Sequence, residues 1–107
     1  MPRPGELWLA AIPFTSGAAA KIRPVLILWE DAADVVVAAV TSVPPRSASD
    51  VSLLHWQAAG LRVPSTLRLS RIDCLEQATL RRRLGVLASE DAQRVKATWA
   101  VSSQLRF

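Results

Sequence analysis

Lys21-Ile22-Arg23-Pro24-Val25-Leu26-Ile27-Leu28-Trp29 is the stretch on which the reading of the whole chain turns. From Val25 to Trp29 every residue is apolar, and Val25, Ile27 and Trp29 are β-branched or aromatic, the pattern of a strand buried on both faces. Pro24 fits the first position of that strand, where a missing N–H costs no ladder bond. Arg23 is then placed at the rim. An arginine whose stem is covered and whose planar fork is free is suited to grip a phosphate or a carboxylate.

Working outward, Glu30-Asp31-Ala32-Ala33-Asp34 reads as a polar turn into Val35-Val36-Val37-Ala38-Ala39-Val40, a second buried strand, so the two form a core hairpin. Gly5 to Ile12 is a strand candidate carrying Trp8, stopped by Pro13, and Thr15 to Ala20 is a small-residue loop without a phosphate-loop pattern. Residues 41–50, with Pro44-Pro45 and three serines, read as a long loop. Val51 to Trp56 is expected to be a further strand. Ser65 to Ser70 alternates, with Leu67 and Leu69 on one face and Thr66, Arg68 and Ser70 on the other.

Beyond Arg71 to Leu75 the alternation is less regular, and Leu80 to Leu87 carries Arg81-Arg82-Arg83, a run that usually forms a solvated face and can also meet RNA or a partner. The chain ends in a helix. Ser89 is its expected N-cap, Glu90 and Asp91 complement the positive end of the helix dipole, and Ala92, Val95, Trp99 and Ser102 form one stripe that Leu105 continues. Closely spaced short strands followed by one helix make this a mainly β chain with a C-terminal α-helix, resembling a small barrel.

Composition narrows the classes. The 107 residues suit one domain, residues 1–107, with a core that needs no staples; half are hydrophobic and 21% charged, as in a globular chain. The net charge is +4, and every basic residue except Lys21 and Lys96 is an arginine, a bias that favours phosphate partners. Cys74 is the only cysteine, so neither an internal disulfide nor a CxxC motif exists, and a reducing cytoplasm fits. No apolar run approaches the roughly 20 residues of a membrane span. Leu7 to Phe14 after Arg3 loosely imitates a signal peptide, but Glu6 spoils the basic start and cleavage would remove the first strand.

Taken in order, Gly5-Glu6-Leu7-Trp8, Arg23-Pro24-Val25-Leu26, Val40-Thr41-Ser42, Gly60-Leu61, Pro64-Ser65, Arg68-Leu69, Arg83-Leu84-Gly85 and Ser89-Glu90-Asp91 resemble the PemK/MazF toxin family. The resemblance implies an SH3-like small β-barrel and the toxin of a bacterial toxin–antitoxin pair. Such a toxin is a homodimer, partnered by a cognate antitoxin, that cuts single-stranded RNA with no metal or other cofactor and no membrane attachment. In such enzymes a ribose 2'-hydroxyl attacks the adjacent phosphate, leaving a 2',3'-cyclic phosphate and a 5'-hydroxyl.

Carried over by position, Arg23 matches the family's arginine at the start of the second strand, Thr41 its active-site threonine, and Arg68 an arginine near the RNA groove; these three are the expected catalytic residues. Thr15, Lys21, Ser42 and Arg62 are expected to contact RNA, together with Ser65, Ser70 and Arg71. Two guanidiniums suit the extra negative charge of a pentacoordinate phosphorus. The chain departs from the family where an acidic residue often stands two places after Arg68: here it is Ser70, and Ala18 to Ala20 replace common polar loop residues. No general base is evident.

Plainer roles are open for each residue. Arg23 can brace the barrel edge through Glu6 or Asp73, Thr41 can bond its own backbone, and His55 fits packing or an edge better than acid–base work. Cys74 reads as a small core residue, and Trp8, Trp29, Trp56 and Trp99 as core or dimer-interface residues. Besides a ribonuclease toxin, the chain can be a non-catalytic poison on the same barrel that binds a protein such as gyrase, or an inert interaction module.

Overall fold

A computed structural model describes residues 1–12 and 20–107. Pro13, Thr15 and the small-residue stretch through Ala19 lie outside the described residues. Among these, six strands, β1 (Glu6–Ile12), β2 (Lys21–Asp31), β3 (Asp34–Thr41), β4 (Asp50–Ser52), β5 (Thr66–Glu76) and β6 (Leu80–Val86), form one antiparallel sheet in the order β4-β5-β3-β2-β1-β6. The helix α1 (Ser89–Ser102) follows.

β2 begins three residues before Pro24, not at it. Pairing with β3 starts only at Val25, so Pro24 is bonded on the β1 side alone, the one-sided setting that a residue without an N–H tolerates. Val25, Leu26 and Ile27 are buried, and alternation sends them to different cores: Leu26 joins Leu7, Val40 and Leu67 on the face that α1 covers through Val95, whereas Val25 and Ile27 join Ala10, Val35 and Val37 on the other. Each such side chain contributes about 1.5–3 kcal/mol. Trp29 departs from the expected double burial. It is 45% exposed, because β2 has slipped by one residue at Leu28 against β3, and it meets Trp99 edge-on at 6.2 Å.

The β2–β3 hairpin turns through Ala32 and Ala33, with Ala32 at φ +54°, and the 3₁₀ turn Gln77–Thr79 clamps it: the Gln77 N–H donates to the Ala33 carbonyl and its side-chain amide to that of Ala32. Asp31 pairs with Asp34 and Asp34 with Glu76, so this end of the sheet is acidic. Cys74 is exposed here and not a core residue; its thiol is pushed up by partial desolvation and by the Asp34 and Asp31 carboxylates.

The expected strand from Val51 to Trp56 stops at Ser52. The cause lies far along the chain: the buried carboxylate of Asp91 accepts the Leu54 and His55 N–H groups at 3.0 and 2.8 Å, taking donors that would otherwise extend a ladder. Asp91 therefore faces inward, and Ala88 rather than Ser89 is the N-cap. Leu105, beyond the helix end, is 79% exposed and off the stripe.

The sheet curls without closing by a ladder. Bulges at Leu84 and Arg81 increase the twist of β6 against β1, and β6 then meets the turn after β4, where Gly60 (φ +88°) and Gly85 lie backbone to backbone. A Cβ on Gly60 would overlap the Leu84 carbonyl, and one on Gly85 the Ala59 carbonyl. Where β1 meets β6, Glu6 accepts the Arg83 Nε–H at 2.7 Å, the Trp8 Nε1–H at 3.1 Å and the Arg3 N–H at 2.8 Å. Burial opposes its charge, but these donors win and hold its carboxyl at about 2.

Gly85→Ala should cost about 1–3 kcal/mol by forcing backbone apart, read as a fall in melting temperature with no loss of secondary structure after refolding in the cold. Because the folded-state value of Glu6 lies below its ordinary 4.5, its contribution is full above that pH and is lost as the pH falls toward 2. Glu6→Gln should flatten the stability-versus-pH curve across this window in urea titrations; an unchanged acid limb would show the contact to be idle.

Candidate nucleic-acid interface

The starts of β2 and β5 and the end of β3 lie at one end of the curled sheet, opposite the acidic hairpin. There they surround a groove of about 780 Å³, walled by Leu9 and Leu84 and by the loops on either side of β4. It brings together Arg23 and Lys21 from β2, Thr41 and Ser42 at the end of β3, Arg62 and Ser65 from the loop before β5, and Arg68 and Arg71 from β5. Ser70 is exposed and not in the lining; it lies between Leu69 and Arg71 in a bulge out of register with β3. Thr15 lies outside the described residues.

Lys21, Arg23, Arg46, Arg62, Arg68, Arg71 and Arg82 all line this groove, and no Asp, Glu or His does among the described residues. Arg23 is exposed, and no carboxylate of the described residues braces it; Glu6 is engaged by Arg83 instead. Cations converging on a concave, partly apolar surface focus field on one kind of ligand, a polyanion. The hydroxyls are less available. Thr41 Oγ1 accepts the Val43 N–H at 3.2 Å, and the buried Ser65 hydroxyl donates to the Val63 carbonyl at 2.8 Å. Thr41 Oγ1 still has its own proton to donate to a phosphate oxygen.

Arg68 is anchored. Its Nε–H donates to Asp50 Oδ1 at 3.2 Å, with 20% of the Arg68 side chain exposed and 1% of that of Asp50. The carboxyl of Asp50 lies below its ordinary range: burial would raise it, but the Arg46 and Ser47 N–H groups and Arg68 outweigh that. An acid thus stands beside Arg68 without occupying position 70. Among the described residues no cluster of three or more His, Cys, Asp or Glu side chains could hold a metal ion.

His55 lies outside the groove, its Nε2 2.6 Å from Glu90 Oε1 at the start of α1. None of the four tryptophans lines the groove; Trp8, Trp56 and Trp99 pack on the two cores. Arg46 and Asp50 escape the sequence reading, and Arg82 enters it only as part of the Arg81 to Arg83 run. Arg82 was open to it, since alternation along a strand sends the middle of three arginines to the side opposite its neighbours. Arg46 and Asp50 were not, because loop conformation and the β4–β5 register place them.

A curled six-stranded antiparallel sheet, capped by one helix and carrying a cationic groove at one end, defines the class. The chain belongs to the PemK-like, MazF-like toxins of type II toxin–antitoxin systems, whose family model matches residues 3–102. Among solved structures, a mycobacterial endoribonuclease in complex with its cognate antitoxin superposes with a TM-score of 0.76 at 18% identity, over 100% of this chain and 99% of that one. The Mycobacterium tuberculosis toxin MazF-mt6 gives 0.67 at 20% identity, over 94% and 99%. A chain of the Deinococcus radiodurans MazE–MazF structure gives 0.69 at 20%, over 98% and 97%. At these identities the likeness is one of fold. A search of curated protein sequences returns no significant match. No described helix is long and apolar enough to cross a membrane.

Arg23→Ala and Lys96→Ala remove the same charge, but Lys96 lies beside Trp29 and Trp99, away from the groove. On a heparin column Arg23→Ala should elute at clearly lower salt than Lys96→Ala; equal shifts would mean that only net charge matters.

Proposed function

We propose that the chain is a metal-independent endoribonuclease toxin that cleaves single-stranded RNA in this groove. The observation that carries the reading is the convergence of Arg23, Thr41 and Arg68 on one cationic surface. The family supports it, as does the likeness of fold to mycobacterial endoribonucleases. In the step envisaged, the ribose 2'-oxygen bonds to phosphorus as the bond to the 5'-oxygen breaks. The 2'-hydroxyl proton passes to solvent, the leaving oxygen takes up a proton, and a 2',3'-cyclic phosphate and a 5'-hydroxyl result. Arg23 and Arg68 stabilise the charge that builds on the phosphoryl oxygens, and Thr41 donates to one of them. Lys21, Ser42, Arg62 and Arg71, with Arg46 and Arg82, hold the flanking phosphates, while Ser65, whose hydroxyl proton goes to the Val63 carbonyl, shapes the groove wall.

By the same analogy the toxin is a cytoplasmic homodimer neutralised by a cognate antitoxin that covers the groove; solved neighbours described as toxin–antitoxin complexes support this. One observation favours a second reading, a non-catalytic poison that binds a protein: the described lining holds no carboxylate or imidazole to serve as general base.

Incubation with a long RNA in EDTA, followed by mapping of the new ends, separates the two. Cuts ending in 2',3'-cyclic phosphates should appear and should fall about 10²-fold in Arg23→Ala. Intact RNA together with growth arrest on induction would favour the binding poison.

A further inference from the structure

Asp50 has no part in the chemistry above, yet it is the most enclosed carboxylate near the groove, with 1% of its side chain exposed. It is the cross-strand partner of Arg68 on β4 and β5. Its two oxygens do different things. Oδ1 accepts the Arg68 Nε–H at 3.2 Å, and Oδ2 accepts the Arg46 N–H at 2.9 Å.

An arginine held through Nε keeps both terminal nitrogens for a second ligand, in a plane that the first contact has set. The Oδ2 bond meanwhile ties down the loop that carries Arg46 into the same groove. Three more bonds close that loop on itself and on β5: the Asp50 N–H to the Ser47 carbonyl at 3.1 Å, the Leu69 N–H to the Ser49 carbonyl at 3.1 Å, and the Ser47–Ser49 hydroxyl pair at 3.0 Å. At the loop's other end stands Thr41, whose Oγ1 accepts the Val43 N–H.

We infer that Asp50 is a positioning residue of the groove, aiming the Arg68 guanidinium at a bound phosphate and setting the loop that presents Arg46. The inference rests on the ribonucleolytic reading of the same groove. Asp50 does not act as the general base: both its oxygens are engaged by donors, and it is shielded from the groove by the arginine it holds. Its carboxylate stays charged across the neutral range, held low by those same donors.

Asparagine at this position has one acceptor where two donors need one each, and its amide nitrogen faces a donor. Asp50→Asn therefore releases either Arg68 or the loop while changing little in volume.

The test is a double-mutant cycle on binding of a fluorescent single-stranded oligonucleotide with 2'-deoxyribose throughout, which lacks the attacking hydroxyl and so is not cleaved. Wild type, Asp50→Asn, Arg68→Ala and the double variant are titrated at one salt concentration, with thermal melts confirming that each is folded. Asp50→Asn should weaken binding about three- to tenfold, and the double variant should lose clearly less than the two single losses combined, because part of what Asp50 does runs through Arg68 and only the rest through the Arg46 loop.

Additive losses, or an Asp50→Asn affinity equal to wild type, would overturn the positioning role and leave RNA cleavage by the wild type standing. A wild type that binds no oligonucleotide overturns both. If Asp50→Asn fails to fold, Asp50→Ser, which keeps a small acceptor, takes its place in the cycle with the same expected non-additivity.

Discussion

The meeting of two glycines holds the rest of this structure to its shape. Gly60 and Gly85 let the turn after β4 and the strand β6 approach backbone to backbone, so the two ends of a six-stranded sheet come together without a hydrogen-bonded seam. The contact needs no side chain, and tolerates none. Because it fixes the curl of the sheet, it also fixes the distance across the groove between Arg82 on β6 and the residues of β2, β3 and β5. The buried carboxylate of Asp91 secures the same turn from the other side by holding the Leu54 and His55 N–H groups against α1, while Arg94 binds both Asp91 and the Ser52 carbonyl.

Carboxylates in this chain are divided between two tasks. Glu6, Asp50 and Asp91 are each largely buried, and each holds an arginine: Arg83, Arg68 and Arg94 respectively. All three are ionised more readily than usual, because backbone and side-chain donors converge on them more strongly than burial opposes their charge. They are internal braces, set at a sheet seam, a groove wall and a helix start. Among the described residues none of the remaining acids lines the groove.

The strands of the chain's first half were legible because Val25 to Trp29 and Val35 to Val40 are apolar without interruption, a pattern that burial on both faces satisfies for most of these residues. The groove residues Arg23, Thr41 and Arg68 were legible through order and resemblance, since strand ends can be read from turns and prolines. What escaped reading was set by contacts across long separations. The early end of β4 depends on Asp91, which local pattern assigns to a helix dipole, and the exposure of Trp29 depends on a one-residue slip against β3. Asp50 was invisible for the same reason: in sequence it closes a serine-rich loop, and only the β4–β5 register sets it beside Arg68.

The acidic hairpin gains a meaning from where it lies. β2 runs eleven residues from Lys21 to Asp31, about 30 Å at strand rise, and along that length the surface passes from clustered guanidiniums to the facing carboxylates of Asp31, Asp34 and Glu76. Like charges paired across strands are unfavourable for folding. Their effect on a neighbouring polyanion is a torque: the molecule has the field of an electric dipole, which turns its cationic mouth toward an approaching phosphate chain and its tail away before any contact forms. Orientation is thereby selected during diffusion, over distances set by the Debye length rather than by hydrogen bonds.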